Sequence, residues 1–295
     1  MSLNIRRLPS TVLALAGLLA LLSLAAAAQS SAPPPAALRQ FSFSQMECSD
    51  YFAPRAHFRP TTVIGARGGM LQTMFTPGAI LYLDNAGNFQ PGDQVRLLRA
   101  DGLQQQEDQF PGQSGVISRM GAYVQIVGRA KILRINGHGV AIARLNFSCQ
   151  PASTGDFAVA WRPIASPTLP RTVHVQWVAP VRGAAQLVVM GRDQAGTLGS
   201  GDEVYLTGGA AAGAQVGQAW TIFRNRRSPS NAQFQASAVG LTPSGMSAAG
   251  GVPEPADILG RLVVIRVEPR SATAIITVSR APILAGDEAV PAAAQ

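Results

Sequence analysis

Histidine, a frequent metal ligand and general base, occurs three times, at His57, His138 and His174, far apart in the chain. None has a cysteine or carboxylate at the short spacing that metal sites use. His138 stands in Asn136-Gly137-His138-Gly139, which reads as a turn between two strands. Nucleophilic catalysis has no better signal. Gly112-Gln113-Ser114-Gly115 lacks both the Gly-x-Ser-x-Gly spacing and the strand-to-helix context of a nucleophile elbow. A Ser/His/Asp triad assembled only by folding leaves a hydrolase as a remote alternative. Asp202-Glu203 and Asp287-Glu288 pair as general acid and base only if folding brings their partners close. Asp93, Asp156 and Asp287 each follow a glycine, a pattern that points to turns rather than to a catalytic dyad. The glycine-rich Gly196–Gly201 stretch opens no helix and so makes no phosphate cradle. The reading is therefore no enzyme, no cofactor and no metal.

Cys48 and Cys149 are the only cysteines. Their meaning depends on compartment, which the N-terminus addresses. Arg6 and Arg7 precede an apolar run from Thr11 to Leu22, and Ser23-Leu24-Ala25-Ala26-Ala27-Ala28 follows with small residues. That order is a secretory signal peptide over residues 1–28, with an uncleaved anchor as the alternative. An oxidising exterior favours a Cys48–Cys149 disulfide over two buried thiols. Closing a loop of that length stabilises by about 4–5 kcal/mol in the chain-entropy picture. The bridge is expected to pin the segment around Phe41, Phe43 and Phe52 to the first folded unit and to leave the second unit untouched. Expected localisation is exported: periplasmic, outer-membrane-associated or secreted. No membrane span is expected in the mature chain.

The 295 residues carry a net charge of +8, and loss of Arg6 and Arg7 leaves +6. Only Lys131 is lysine among 24 basic residues, and the arginines are scattered apart from Arg224, Arg226 and Arg227. This distribution argues against nucleic acid as a partner and leaves a diffuse affinity for anionic polymers. A charged fraction of 14% against 47% hydrophobic residues excludes a wholly disordered chain.

The elements that must position any site read as short strands, at Ala79–Leu83, Gln94–Arg99, Arg129–Ile135, Val140–Leu145, Val173–Val178, Gln186–Met190, Glu203–Leu206, Ala219–Arg224, Arg261–Val267 and Ala272–Val278. No window of a dozen residues in the mature chain shows a helical apolar stripe. The blocks repeat in order. Leu81-Tyr82-Leu83 returns as Val204-Tyr205-Leu206, and Pro91-Gly92-Asp93 with its following strand returns as Val216-Gly217-Gln218. Gly128–Ile135 returns as Gly260–Val267, Val140–Ala143 as Ala272–Ile275, and Thr154-Gly155-Asp156 as Ala285-Gly286-Asp287. Such a tandem duplication predicts an all-β fold of two small barrel-like modules, since short open sheets leave unpaired edges. The expected division is a leader over 29–40, module one over 41–162, a Pro-rich linker over 163–172, module two over 173–291 and a tail over 292–295.

These blocks resemble the C-terminal domain family of the flagellar assembly protein T. Unit two carries the resemblance best, through Tyr205-Leu206, Gly213, Val216-Gly217, Ile222-Phe223-Arg224, Gly260, Val264, Val267, Ala272-Thr273-Ala274 and Gly286-Asp287. It departs at Gln218, where the pattern has Asp, and unit one departs at Val140-Ala141-Ile142. Related copies occur in secreted Gram-negative envelope proteins, some with a peptidoglycan-binding LysM domain. The resemblance implies a binding or scaffolding module of the cell envelope, with a peptidoglycan or polysaccharide binder as the alternative. Candidate partner contacts are Arg224, Arg226, Arg227 and Trp161, beside the long loops 100–127 and 225–259. The expected partner is an envelope protein or glycan.

Overall fold

A computed structural model describes residues 39–54, 61–68, 73–100, 103, 107–164, 166–169, 185–225, 228–231 and 256–292. The signal peptide, the expected strand at Val173–Val178, His57, His174, Trp177, Arg226 and Arg227 lie outside the described residues.

The chain is all-β and builds two closed six-stranded barrels in tandem. A short helix α1 (Phe43–Glu47) and strand β1 (Tyr51–Ala53) lead into the first barrel. That barrel comprises β2 (Thr61–Ala66), β3 (Ile80–Leu83), β4 (Gln94–Arg99), β5 (Ala122–Ile135), β6 (Ala141–Ser148) and β7 (Phe157–Ala160). The second comprises β8 (Gln186–Gly191), β9 (Glu203–Thr207), β10 (Ala219–Arg224), β11 (Asp257–Val267), β12 (Ser271–Ser279) and β13 (Glu288–Pro291). The first closes in the order β2-β3-β6-β5-β4-β7, the second in the order β8-β9-β12-β11-β10-β13. The two circuits are the same, element for element. The duplication is thus visible in topology as well as in residue pattern.

Each core follows from the alternation of side chains along a strand. In barrel one Leu81 and Leu83, Val95 and Leu97, Ala130 and Ile132, and Ala141, Ala143 and Leu145 point inward. Barrel two places Val204 and Leu206, Trp220 and Ile222, Leu262 and Val264, and Ala272, Ala274 and Ile276 at the equivalent positions. Trp220 fills the place of Val95, as the repeat predicts, and both are fully buried. Gly128 and Gly260 mark the tightest strand crossing. A Cβ there would meet the Phe147 carbonyl oxygen at 2.3 Å or the Val278 oxygen at 2.2 Å, so only glycine fits.

The turns repeat as well. Asp93 accepts the Gln90 amide at 2.8 Å, and Gln218 accepts the Gln215 amide at 3.2 Å. Glutamine therefore makes the turn contact that aspartate makes in the first copy. After β6 and β12, Asp156 and Asp287 cap their turns through the amides of Ser153 and Leu284, both at 2.7 Å. Each also holds an arginine from the neighbouring strand, Arg99 or Arg224, at 2.7 Å.

Several sequence expectations need correction. Unit one has six barrel strands where the sequence suggests four, and unit two adds β13 to the five expected there on described residues, because β2, β7 and β13 are too short or too interrupted to read as strands. The turn joining β11 to β12 is one residue shorter than its counterpart: Val267 pairs Ala272, whereas Ile135 pairs Ala141. Ala141-Ile142-Ala143 therefore aligns with Ala272-Thr273-Ala274, with Ile142 in the place of Thr273. The stretch 100–127 is not simply a loop. It contains helix α2 (Gln113–Met120) and the first half of β5. The helix is only eight residues long and buries Gln113, Val116 and Met120, a face too short and too polar for an apolar count to find. Asp108 caps its start by accepting the Ser114 amide at 3.1 Å. Gly208–Gln215 contains one 3₁₀ turn at Ala210–Ala212. No described helix is long and apolar enough to cross a membrane.

Candidate functional site

Both barrels fall within one compact unit of the chain. The arm formed by α1 and β1 lies in the joint between them. On one side β1 pairs with the start of β5, Tyr51 to Val124 and Ala53 to Ala122. Its other edge is met by hydroxyl groups from barrel two: Thr273 Oγ1 donates to the Asp50 carbonyl at 2.9 Å and Ser271 Oγ to the Phe52 carbonyl at 3.1 Å. Side chains thus satisfy an edge that a further strand would otherwise have to cover. Met46 packs on Ile265 and Ile275 of barrel two, and Phe52 touches the rings of Tyr123 and Tyr205 at centroid distances of 5.4 and 5.6 Å.

At the centre of the joint is a buried polar group. Asp50 Oδ1 accepts the Ile126 amide at 2.7 Å, and Oδ2 accepts the Tyr123 hydroxyl at 2.9 Å. The Tyr123 and Tyr205 hydroxyls lie 3.1 Å apart. Tyr205 donates to Glu203 Oε1 at 2.8 Å, and the same oxygen accepts the Asp50 amide at 3.0 Å. Arg192, just after β8, stands 3.7 Å from Asp50 and donates to the Cys48 carbonyl. Burial pushes Glu203 up to about 7, with Asp50 adding to the shift and Arg192 opposing it. Burial also raises Asp50, against the Ile126 amide, Arg192 and Tyr123. Desolvation holds both tyrosines well above the usual phenol range.

Two clefts flank Arg192 and Asp193. One, of about 390 Å³, is bordered by Gln45, Asp50, Gln125 and the disulfide; the other, of about 340 Å³, by Asp202, Glu203 and Ile275. Asp50 lines the first and Glu203 the second. Chemically the arrangement can store or pass a proton between two buried carboxyl groups, and it can fix the angle between the barrels.

The expected residues are placed as follows. Cys48 and Cys149 form a disulfide, with their Cα atoms 5.5 Å apart. The Cys149 amide donates to the Val127 carbonyl just as the Arg280 amide donates to Leu259, so its repeat partner is Arg280. Of the three phenylalanines of the arm, Phe52 is buried, Phe41 is half-buried and Phe43 is 55% exposed. The arm touches both barrels and not the first alone.

Arg224 is held by both oxygens of Asp287 and by the Pro282 carbonyl. Trp161 is half-buried, donates its indole N–H to Glu47 at 3.2 Å and carries Arg129 over its ring at 4.8 Å. His138 is exposed in its turn, where Asn136 Oδ1 accepts the His138 and Val140 amides. Asp202 and Glu203 diverge: Asp202 caps the Gly199 turn, while Glu203 enters the joint. Asp287 and Glu288 likewise serve different partners, Glu288 accepting from Asn225 and Ser228. Among the described residues no group of His, Cys, Asp and Glu is arranged to hold a metal ion.

Sequence reasoning missed Asp50, Tyr123, Arg192 and Tyr205. One signal was present. In β9 a glutamate, Glu203, stands where its counterpart β3 has Ile80, and it is buried with Val204, Tyr205 and Leu206. The chain matches no known family model, and a search of curated proteins finds no similar one.

Proposed function

We propose that this is a non-catalytic, exported cell-envelope protein that presents two fused barrels as a binding or scaffolding unit for another envelope component. The observation that carries the reading is the use of its carboxylates. Asp93, Asp156, Asp202 and Asp287 cap turns, while Asp50 and Glu203 join the barrels, each through hydrogen bonds to the protein itself. Groups so engaged hold a structure rather than meet a substrate. The order of charges and small residues over 1–28 supports export, and the disulfide accords with an oxidising compartment. The resemblance of the repeat blocks to the flagellar assembly protein T domain family supports an envelope role. The test is affinity capture from solubilised envelope fractions, using the intact protein and a variant with Arg226→Ala and Arg227→Ala. A component retained by the first and lost by the second is the expected result. Enzymatic turnover by the purified protein, abolished by a single substitution, would falsify the reading.

The basic excess favours a second reading, a peptidoglycan or anionic polysaccharide binder. It predicts sedimentation with purified sacculi that weakens as salt rises. Absence of sedimentation at low ionic strength removes it.

A further inference from the structure

Four oxygen atoms in the joint form an unbranched chain: Asp50 Oδ2, the Tyr123 hydroxyl, the Tyr205 hydroxyl and Glu203 Oε1. Their successive separations are 2.9, 3.1 and 2.8 Å. Three such links need three hydrogens. With both carboxyl groups ionised the chain holds two, one on each phenol, because a carboxylate only accepts. If both hydroxyls donate outward, two oxygens face each other without a hydrogen between them. If one turns inward, a carboxylate oxygen is left 2.8 or 2.9 Å from a phenol oxygen with no hydrogen between them. Either arrangement is costly away from water. A third proton on an end carboxyl group completes every link, from Glu203 to Tyr205, from Tyr205 to Tyr123 and from Tyr123 to Asp50.

We propose that the joint holds one extra proton on this chain and that its release loosens the contact between the barrels, so that their coupling depends on pH. This goes beyond the scaffolding role and does not rest on it.

The proton belongs at the Glu203 end. Both oxygens of Asp50 accept hydrogen bonds, from the Ile126 amide and the Tyr123 hydroxyl, and Arg192 stands 3.7 Å away, whereas at Glu203 burial outweighs Arg192 and pushes the carboxyl up to about 7. The groups around the chain are accounted for element by element. The arm presents Asp50 and Tyr51, β5 presents Tyr123, and the turn after β8 presents Arg192 and Asp193. β9 presents Glu203 and Tyr205, β11 presents Arg266 with Glu268 beyond it, and β12 offers the neutral Thr273. Losing the proton puts two buried carboxylates on one chain with Arg192 as the nearest cation. The sign follows from linkage. Glu203 rises from 4.5 to about 7 on folding, so the folded state binds more protons between those values. Stability is therefore greatest below that window, falls as pH rises through it and levels off above it.

The test is thermal denaturation and amide exchange of the full chain from about pH 5 to about pH 8. Tm should fall by several degrees, and the Asp50 and Ile126 amides should lose protection once intrinsic exchange rates are corrected. Glu203→Gln should remove the step. Tyr123→Phe separates the proton chain from simple burial of a glutamate. It leaves one link, Tyr205 to Glu203, with one hydrogen, so the midpoint should drop toward the ordinary glutamate value. An unchanged midpoint in Tyr123→Phe overturns the proposal, as does a Tm that stays flat in the unmodified protein or a full step retained by Glu203→Gln.

Discussion

Single residues in this molecule tend to recur in pairs, and the pairs show what each residue is for. Asp287 is fully buried, caps its own turn, and takes Arg224 at 2.7 Å and the Ser230 hydroxyl; Asp156 likewise caps its turn and takes Arg99 at 2.7 Å. Removing the carboxylate from such a pair leaves the turn amide without its acceptor and takes from the guanidinium its ion-pair partner. Asp287→Ala should cost about 3 kcal/mol, and Asp156→Ala a similar amount or slightly less. Urea denaturation of each variant checks this, and an effect well below 1 kcal/mol at both sites contradicts the structural assignment. These turn aspartates were legible in the sequence, because a glycine–aspartate turn recurring in register needs nothing distant to explain it. Asp50 was not legible. Its partners Tyr123, Arg192 and Glu203 lie 73 to 153 residues away, and nothing local distinguishes it from an acid in a loop.

At the scale of elements, the arm matters more than its length suggests. Its helix is five residues long and held by a capping box in which Ser42 and Gln45 bond each other's backbone amides. An isolated helix of that size does not persist in water, so the arm depends on what fixes it. Three attachments do so: the Cys48–Cys149 bridge, the Glu47 carboxylate shared by Arg96 and Trp161, and the pairing of β1 with β5. Reduction removes the first. Because Thr273 and Ser271 of β12 bond the carbonyls of Asp50 and Phe52, loosening the arm should reach barrel two as well. Hydrogen exchange with reductant should show lost protection over residues 44–53, the start of β5 and the start of β12, with the far strands β10 and β13 unchanged. Change confined to barrel one would return the arm to the role expected from sequence. Strand alternation revealed most barrel strands, since one buried face leaves a period of two. It missed the first half of β5, which is buried on both faces where it meets the arm, and it found β12 within one residue of its ends.

The whole molecule poses a question of cooperativity. Each barrel encloses its own core, around Leu81, Val95 and Ile132 in one and around Val204, Trp220 and Val264 in the other. Two such units joined by a linker alone would melt separately. Here a third apolar cluster spans the joint, with Phe52 from the arm, Phe110 and Val116 from the α2 region, Tyr123 from barrel one, and Val189 and Tyr205 from barrel two. Deleting the Phe52 ring opens a cavity between Tyr123 and Tyr205 and should cost about 4 kcal/mol. That loss falls on the joint and spares both cores. The intact protein should therefore unfold in a single calorimetric transition, with equal van't Hoff and calorimetric enthalpies. Phe52→Ala should divide it into two transitions, one for each barrel. Isolated Val95→Ala should lower stability by a smaller amount and leave the transition single, since it lies inside one core and away from the joint. Two transitions in the unmodified protein would show that the joint contributes too little to couple the barrels. In that case release of the joint proton would move neither Tm, and the pH-dependent coupling proposed above would be overturned with the cooperativity.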